Sequence, residues 1–125
     1  MKYFLFLFLL STSFLFAQED MANMRKYYLV ELIRFPERTI LDSVTSANIQ
    51  IAHLNNIDTL HQAGKLVLAG PFGDDKGGGI FILKAKSLEE ATEMCESDPA
   101  IRNKRLKYTV RPWWSDKTMF TSEKE

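Results

Sequence analysis

Two short apolar segments, separated by the turn sequence GDDKGGG, constrain the fold of this chain more than any other feature. The first is KLVLAGPF at residues 65–72, where Gly70-Pro71 stops the strand, and the second is GIFILKA at residues 79–85. The glycines between them open no helix, so they are typical of a turn and not of a phosphate-binding loop. The two segments therefore predict a β-hairpin.

A helix is predicted on each side of this hairpin. Before it, residues 44–63 carry apolar side chains at helical spacing, and Gly64 follows where a left-handed cap residue belongs. After it, SLEE at residues 87–90 is a capping box, in which the serine accepts the third-residue N–H and Glu90 reaches back to the cap. The second helix is expected to end near Ser97.

The outer segments supply the first and last strands. They are YYLVELIRF at residues 27–35, ended by Pro36, and residues 106–110, which lead into Arg-Pro-Trp-Trp. The order β-α-β-β-α-β predicts a ferredoxin-like α+β fold, a four-stranded antiparallel sheet with two helices on one face. Because the hairpin strands are apolar at consecutive positions, we expect a second copy to cover the other face and form a homodimer.

The two ends of the chain are set apart from this domain. Lys2 followed by an apolar run and Ala17 predicts that residues 1–17 are a signal peptide, so that the protein is exported, periplasmic or secreted, with no membrane segment after cleavage. Residues 18–26 and 115–125 are expected to be flexible, which leaves 27–114 as one domain. Basic and acidic residues number 16 each, without a basic run, which argues against a nucleic-acid partner.

His53 and Asp98 are the strongest candidates for chemistry. His53 lies on the first predicted helix and points inward or toward a rim; its imidazole suits proton transfer near neutral pH, but a hydrogen-bonded core histidine explains it as well. Asp98 precedes Pro99, so it is well placed to cap a short turn. A capping carboxylate can also hydrogen-bond an imidazole, and the two roles are compatible.

Other side chains allow two interpretations each. Arg34, Arg38 and Arg111 can meet an anionic ligand or be solvated, and Trp113 and Trp114 can wall a cleft or simply pack. His61 is interpreted as a surface residue near the end of the helix. Cys95 is interpreted as an inert, partly buried thiol. His61 lies eight residues from His53 and no third strong ligand is near, so no metal and no cofactor are expected.

In their order and spacing these motifs resemble the YCII-related (YciI-like) family of small dimeric α+β proteins. The matching motifs are His53-Leu54, Gly64-Lys65-Leu66, Ala69-Gly70-Pro71, Ser87-Leu88-Glu89-Glu90-Ala91 and Asp98-Pro99. The resemblance implies a ferredoxin-like dimer with a small cleft lined by His53 and Asp98 as the catalytic pair; our substrate-binding candidates are Gly70, Pro71, Arg34 and Trp113. The chain departs from the family pattern at Ala100, where an aromatic residue is frequent, and at residues 102–104.

Two hypotheses about function follow. The first is a cofactor-independent acid/base enzyme of isomerase or lyase type, in which His53, oriented by Asp98, moves a proton on a small cyclic or oxo compound. The alternative is a non-catalytic periplasmic module that binds a small molecule. A His53–Asp98 hydrogen bond beside an open cavity favours the enzyme, and a separated or sealed pair favours the binding module.

Overall fold

The computed structural model describes residues 21–120, and the signal peptide predicted at residues 1–17 lies outside them. The strands are β1 (Met24–Arg34), β2 (Leu66–Pro71), β3 (Gly79–Leu83) and β4 (Leu106–Asp116). The helices are α1 (Ser43–Gln62), α2 (Leu88–Glu96) and the short α3 (Pro99–Arg102), followed after β4 by a 3₁₀ turn, Lys117–Phe120. Strands and longer helices follow in the predicted β-α-β-β-α-β order, so the ferredoxin-like α+β fold is confirmed.

The four strands form one sheet in the order β2-β3-β1-β4. β3 runs antiparallel to both of its neighbours, with Ile82 opposite Leu29 of β1 and Leu68 of β2. The register between β2 and β3 shifts between Leu66 and Leu68. Such an irregularity bends the strand and changes which side chains share a face, a change that alternation in the sequence does not encode.

Helix α1 has a complete cap at each end. Asp42 accepts the Thr45 N–H at 2.8 Å and the Thr45 hydroxyl at 2.6 Å, and these bonds lower the pKa of its carboxyl group. At the other end Gly64 has φ +70°, and the Lys65 N–H donates to the Leu60 carbonyl at 2.9 Å. Gly64 therefore closes a Schellman motif at the position predicted for a left-handed cap.

Helix α2 begins at the predicted capping box, but with one difference. The Ser87 hydroxyl oxygen accepts the Glu90 N–H at 3.1 Å, as expected. The Glu90 carboxylate accepts the N–H of Lys86 at 2.6 Å instead of the cap residue's own N–H. That bond is the main reason why the pKa of Glu90 lies below its usual value.

The core lies between the sheet and the helices. Its buried side chains come from β1, β2, β3 and α2 and are Tyr28, Val30, Leu32, Leu66, Phe81, Leu83, Ala91, Met94 and Cys95. Alternation turns Ile80 and Ile82 of β3 to the opposite face of the sheet, where Leu68 of β2 also lies. Leu68 and Ile80 are 54% and 37% exposed, so this second face carries uncovered apolar surface.

The strand bounds differ from those predicted at the chain ends. β1 begins at Met24 instead of Tyr27, and β4 continues to Asp116 through Pro112. The described residues fall into two compact units, residues 26–113 and a smaller one made of residues 21–25 and 114–120. Within the smaller unit the Lys117 N–H donates to the Asn23 carbonyl at 3.0 Å. None of the helices formed by residues 21–120 has the length and apolar character needed to cross a membrane.

We predict that Gly64→Val lowers the free energy of unfolding by at least about 1 kcal/mol, because a β-branched residue is strained at positive φ. A Cβ at Gly64 would meet no atom within 4 Å, so the loss isolates backbone strain from steric overlap. Chemical denaturation should give a lower midpoint with an unchanged slope. Gly73→Val is the matched control, since Gly73 also has open space around it but no positive φ. Equal midpoints for the two variants would contradict the prediction.

Candidate active site

The structure brings His53 and Asp98 together. His53 lies in the middle of α1, and its Nδ1 is 2.9 Å from Oδ1 and 2.8 Å from Oδ2 of Asp98. His53 is 9% exposed and Asp98 is completely buried. A buried carboxylate needs hydrogen-bond donors to replace water, and the imidazole N–H is one of them.

Asp98 also performs the structural role expected of it. It is the N-cap of α3, Pro99 occupies the first turn, and Oδ1 accepts the Ala100 N–H at 2.8 Å. One carboxylate therefore caps a helix and holds an imidazole at the same time. The two roles left open by the sequence are both filled by this geometry.

The plane of the imidazole ring is held by a ring contact, in addition to the hydrogen bond at Nδ1. The Phe81 ring of β3 stacks on it with the ring centroids 6.1 Å apart and the planes at 22°. With Nδ1 held by Asp98, Nε2 is the ring nitrogen left to meet a ligand. If Asp98 is ionised and accepts the Nδ1 proton, Nε2 carries the lone pair of the neutral ring and can act as a base.

A cleft of about 440 Å³ opens beside His53. Its lining is mainly apolar and comes from β1, α1, the β2–β3 hairpin and the start of β4. The lining residues are Leu32, Gln50, His53, Leu54, Ile57, Ala69, Gly70, Pro71, Phe72, Gly77, Gly78, Gly79, Phe81 and Leu106. A space of this size suits a small organic ligand, with His53 as its titratable group.

The four predicted substrate-binding residues divide between different places. Gly70 and Pro71, at the end of β2, line the cleft beside His53. Arg34 lies outside that cleft and lines a neighbouring cavity of about 290 Å³. Trp113 lines neither cavity; its ring is tilted by 48° against Tyr27, with centroids 6.4 Å apart. Trp113 therefore packs against Tyr27, and its role in substrate binding stays a prediction.

Some lining residues were not singled out from the sequence. Gln50 is one helical turn before His53 in α1, so helical spacing alone was a usable signal for it. Phe81 required the register of the hairpin, and Leu106 required the position of β4. Neither of these has a local sequence signal.

Cys95 and His61 contribute no reactive group to the cleft. The Cys95 thiol is buried, and burial, with the nearby Asp98 charge as a second cause, raises its pKa to about 12. The thiol is therefore neutral at physiological pH and a poor nucleophile. His61 Nδ1 lies 3.0 Å from the Leu66 carbonyl. Within residues 21–120, no three His, Cys, Asp or Glu side chains are grouped so that they could hold a metal ion.

Comparison with known proteins assigns the chain to a family and finds similar proteins, among them the following two. The model of the YCII-related domain matches residues 30–114. An uncharacterized protein of Bacillus subtilis, YjpA, is 34% identical over 61 residues, which are 49% of this chain and 71% of that protein. The fold resembles that of 5-chloro-2-hydroxyhydroquinone dehydrochlorinase (TftG) from Burkholderia phenoliruptrix, solved in complex with 2,5-dihydroxybenzoquinone, with a TM-score of 0.54 and 22% identity. The similarity covers 70% of this chain and 92% of that one.

Proposed function

Because the chain belongs to the YCII-related domain family, we propose that it is a cofactor-independent acid/base enzyme of isomerase or lyase type acting on a small cyclic or oxo compound. One observation carries the proposal: a buried His53–Asp98 pair, joined at 2.8 Å, borders a mainly apolar cleft of about 440 Å³. Hydrogen-bond contact beside an open cavity is the arrangement that acid/base chemistry requires.

The proposed chemistry is a proton shuttle through one imidazole. Asp98 accepts the Nδ1 proton and keeps the Nε2 lone pair directed to the cleft, where it takes a proton from a hydroxyl group or from a carbon next to a carbonyl. The imidazolium that forms is stabilised by the adjacent carboxylate. Returning the proton to another atom of the ring gives isomerisation, and loss of a leaving group gives elimination.

The environment of the pair supports this assignment. The apolar lining of the cleft strengthens the electrostatic interaction between the imidazolium and Asp98, since few polar groups screen it. Covalent catalysis by Cys95 has no support, because its thiol is buried and its pKa is raised. His53 is thus the group in the described part of the cleft best suited to move a proton.

The structural relative suggests which compounds to test first. The dehydrochlorinase acts on a small chlorinated, hydroxylated ring. Loss of HCl from such a ring balances as acid/base chemistry. One hydroxyl proton leaves and a proton is added to the carbon that bears chlorine, which gives a keto tautomer. A second hydroxyl proton then leaves, and the carbon–chlorine bond breaks as chloride departs with its electron pair and the quinone forms. An imidazole that acts in turn as base and acid, as we propose for His53, serves both proton transfers, and no external oxidant is needed. At 22% identity the relative supports the fold, and the substrate class is part of our proposal.

The alternative is a small-molecule binding module without turnover. Two features favour it: the cap of α3 alone accounts for the presence of Asp98, and the residues that follow Pro99 differ from the family pattern at Ala100 and Arg102. In that case the cleft binds a ligand and the pair only orders the two helices.

We predict that His53→Gln reduces turnover of 5-chloro-2-hydroxyhydroquinone by about 10² to 10⁴-fold, because it removes the only proposed proton carrier. Asp98→Asn should reduce turnover by at least about tenfold, since it removes the charge that stabilises the imidazolium but keeps a good helix cap. Chloride release, followed under single-turnover conditions, measures both. His61→Gln is the control, because His61 bonds the Leu66 carbonyl and does not line the cleft.

Two results would contradict the enzyme. One is chloride release that is equal in the wild type and His53→Gln. The other is ligand binding, detected by a thermal shift with 2,5-dihydroxybenzoquinone, without turnover of any hydroxylated or oxo ring in a panel. The second result would establish the binding module instead.

We also propose a homodimer in which the second face of the sheet is covered by a second copy. Leu68 and Ile80 place exposed apolar side chains on that face beside the buried Ile82, and large exposed apolar patches mark interfaces. Light scattering at micromolar concentration should give twice the mass of one chain. The Ile80→Lys substitution should lower the measured mass toward that of a single chain. Val44→Lys, at an exposed position of α1, is the control. A monomeric wild-type protein would refute the dimer.

Export remains a proposal that rests on the sequence of residues 1–17. We predict that the mature protein begins at Gln18 and is recovered from the periplasmic or extracellular fraction. N-terminal sequencing of fractionated protein measures this. Recovery of chains that begin with Met1 from the cytosolic fraction would overturn it.

A further inference from the structure

A second cavity, of about 290 Å³, adjoins the His53 cleft and has a different chemical character. Arg34, Arg38 and Arg105 line it together with polar Ser46 and Gln50. No described residue that lines it carries a carboxylate. Three guanidinium groups around one small cavity repel each other unless an anion lies among them.

The fold holds these arginines in place although they are distant in sequence. Arg34 ends β1, Arg38 follows in the loop and Arg105 precedes β4. The Phe35 N–H donates to the Arg105 carbonyl at 2.9 Å, which joins the two chain segments. The Arg105 guanidinium also donates to the Thr39 carbonyl at 2.7 Å. The cluster therefore rests on backbone contacts and does not depend on neutralising side chains.

The arginines of the cluster form no ion pair with a carboxylate of residues 21–120, although Arg34 also lines a separate cavity together with Glu31 and Asp74. Among residues 21–120 the ion pairs join His53 to Asp98 and Lys65 to Glu90, so neither involves an arginine. Arg38 and Arg105 are partly buried, which reduces the screening of their charge by water. Guanidinium groups in such positions suit a carboxylate, which they can bind through two parallel hydrogen bonds.

The two cavities adjoin and share part of their lining. Gln50, Gly77, Gly78 and Leu106 line both of them. Gly77 and Gly78 have φ of +76° and +85°, and a Cβ at Gly78 would overlap the Leu32 carbonyl of β1. This stretch of the hairpin thus requires glycine, so the hairpin itself places no side chain between the two cavities.

We propose that the two cavities form one ligand site, in which Arg34, Arg38 and Arg105 hold a carboxylate carried by the ring that lies beside His53. This inference rests on the proposed function and names its substrate class as a small hydroxylated or oxo ring with a carboxylate substituent. The apolar cleft holds the ring, and the arginine cavity orients it so that the same ring atoms face Nε2 each time.

The test compares two rings that differ only in the carboxylate. Isothermal titration calorimetry of the purified protein with 2,5-dihydroxybenzoate and with 1,4-dihydroxybenzene should show that the carboxylated ring binds about tenfold more tightly, or more, as expected for charge-assisted hydrogen bonds. Arg38→Gln and Arg34→Gln should remove most of this preference and leave the binding of the neutral ring unchanged. Arg111→Gln is the matched control, since Arg111 lies on β4 and lines neither cavity.

Several outcomes would overturn the inference. One is equal binding of the two rings, and another is no binding of the carboxylated ring at millimolar concentration. A third is an equal loss of the preference for the carboxylated ring in Arg111→Gln and Arg38→Gln, which would indicate general electrostatic attraction. Thermal unfolding of each variant checks that it is folded. If Arg38→Gln does not fold, Arg34→Gln alone tests the preference for the carboxylated ring. Titration with inorganic phosphate at matched ionic strength tests whether the arginines bind free anions. If phosphate binds as tightly as the carboxylated ring and displaces it, the inference would also be overturned.

The failure of this inference is distinct from the failure of the proposed function. If the carboxylate has no effect on binding but His53→Gln abolishes turnover, the proposed enzymatic function is supported and the proposed arginine site is refuted. If the protein prefers the carboxylated ring and His53→Gln leaves turnover intact, the arginine site is supported and the acid/base role of His53 is refuted.

Discussion

A carboxylate with no exposed surface is the constraint on which the rest of the site depends. Asp98 is completely buried, and a buried charge is tolerated only where hydrogen bonds replace water. Its partners come from two directions, the Ala100 N–H of α3 and the Nδ1 of His53 in α1, 45 residues away in sequence. Because α3 begins directly after Asp98, the carboxylate cannot turn away from the imidazole without releasing the cap of that helix. Helix packing and imidazole orientation are therefore secured by the same atoms.

The position of Asp98 is in turn set by the core. Its N–H donates to the carbonyl of Cys95, and Cys95 belongs to the buried cluster between α2 and the sheet. On the opposite side of the imidazole, Phe81 belongs to the same cluster through β3. His53 is thus held by elements on two sides and keeps its orientation before any ligand arrives. A base that is oriented in advance needs no rearrangement in the transition state, which is the main source of electrostatic catalysis.

Much of the fold could be predicted because its signals are local. Gly64 ends α1, Ser87 begins α2 and Asp98 begins α3, and each cap is decided by residues at most four positions away. The pairing of His53 with Asp98 came from resemblance to a family, since nothing local relates positions that are far apart. The contact made by Trp113 has no local sequence signal for a related reason. Its partner, Tyr27, lies on a different strand, and the face that both occupy depends on the register of the sheet. The extension of β4 through Pro112 to Asp116 also has no signal in the weak alternation of residues 106–110.

The groups proposed for chemistry and those proposed for ligand selection lie in different kinds of structure in this domain. The proposed base and its partner lie on helices that pack against the core, where a change of volume is costly. The groups proposed to select the ligand are the hairpin glycines and the three arginines, none of which belongs to the buried cluster. Substituting an arginine there changes the charge of the cavity without removing a core contact, so it changes which ring is held more than it changes stability. A fold arranged in this way can exchange one substrate for another while the His53–Asp98 geometry stays the same. On our proposal, the charge of the second cavity selects the ligand more than the His53–Asp98 pair does.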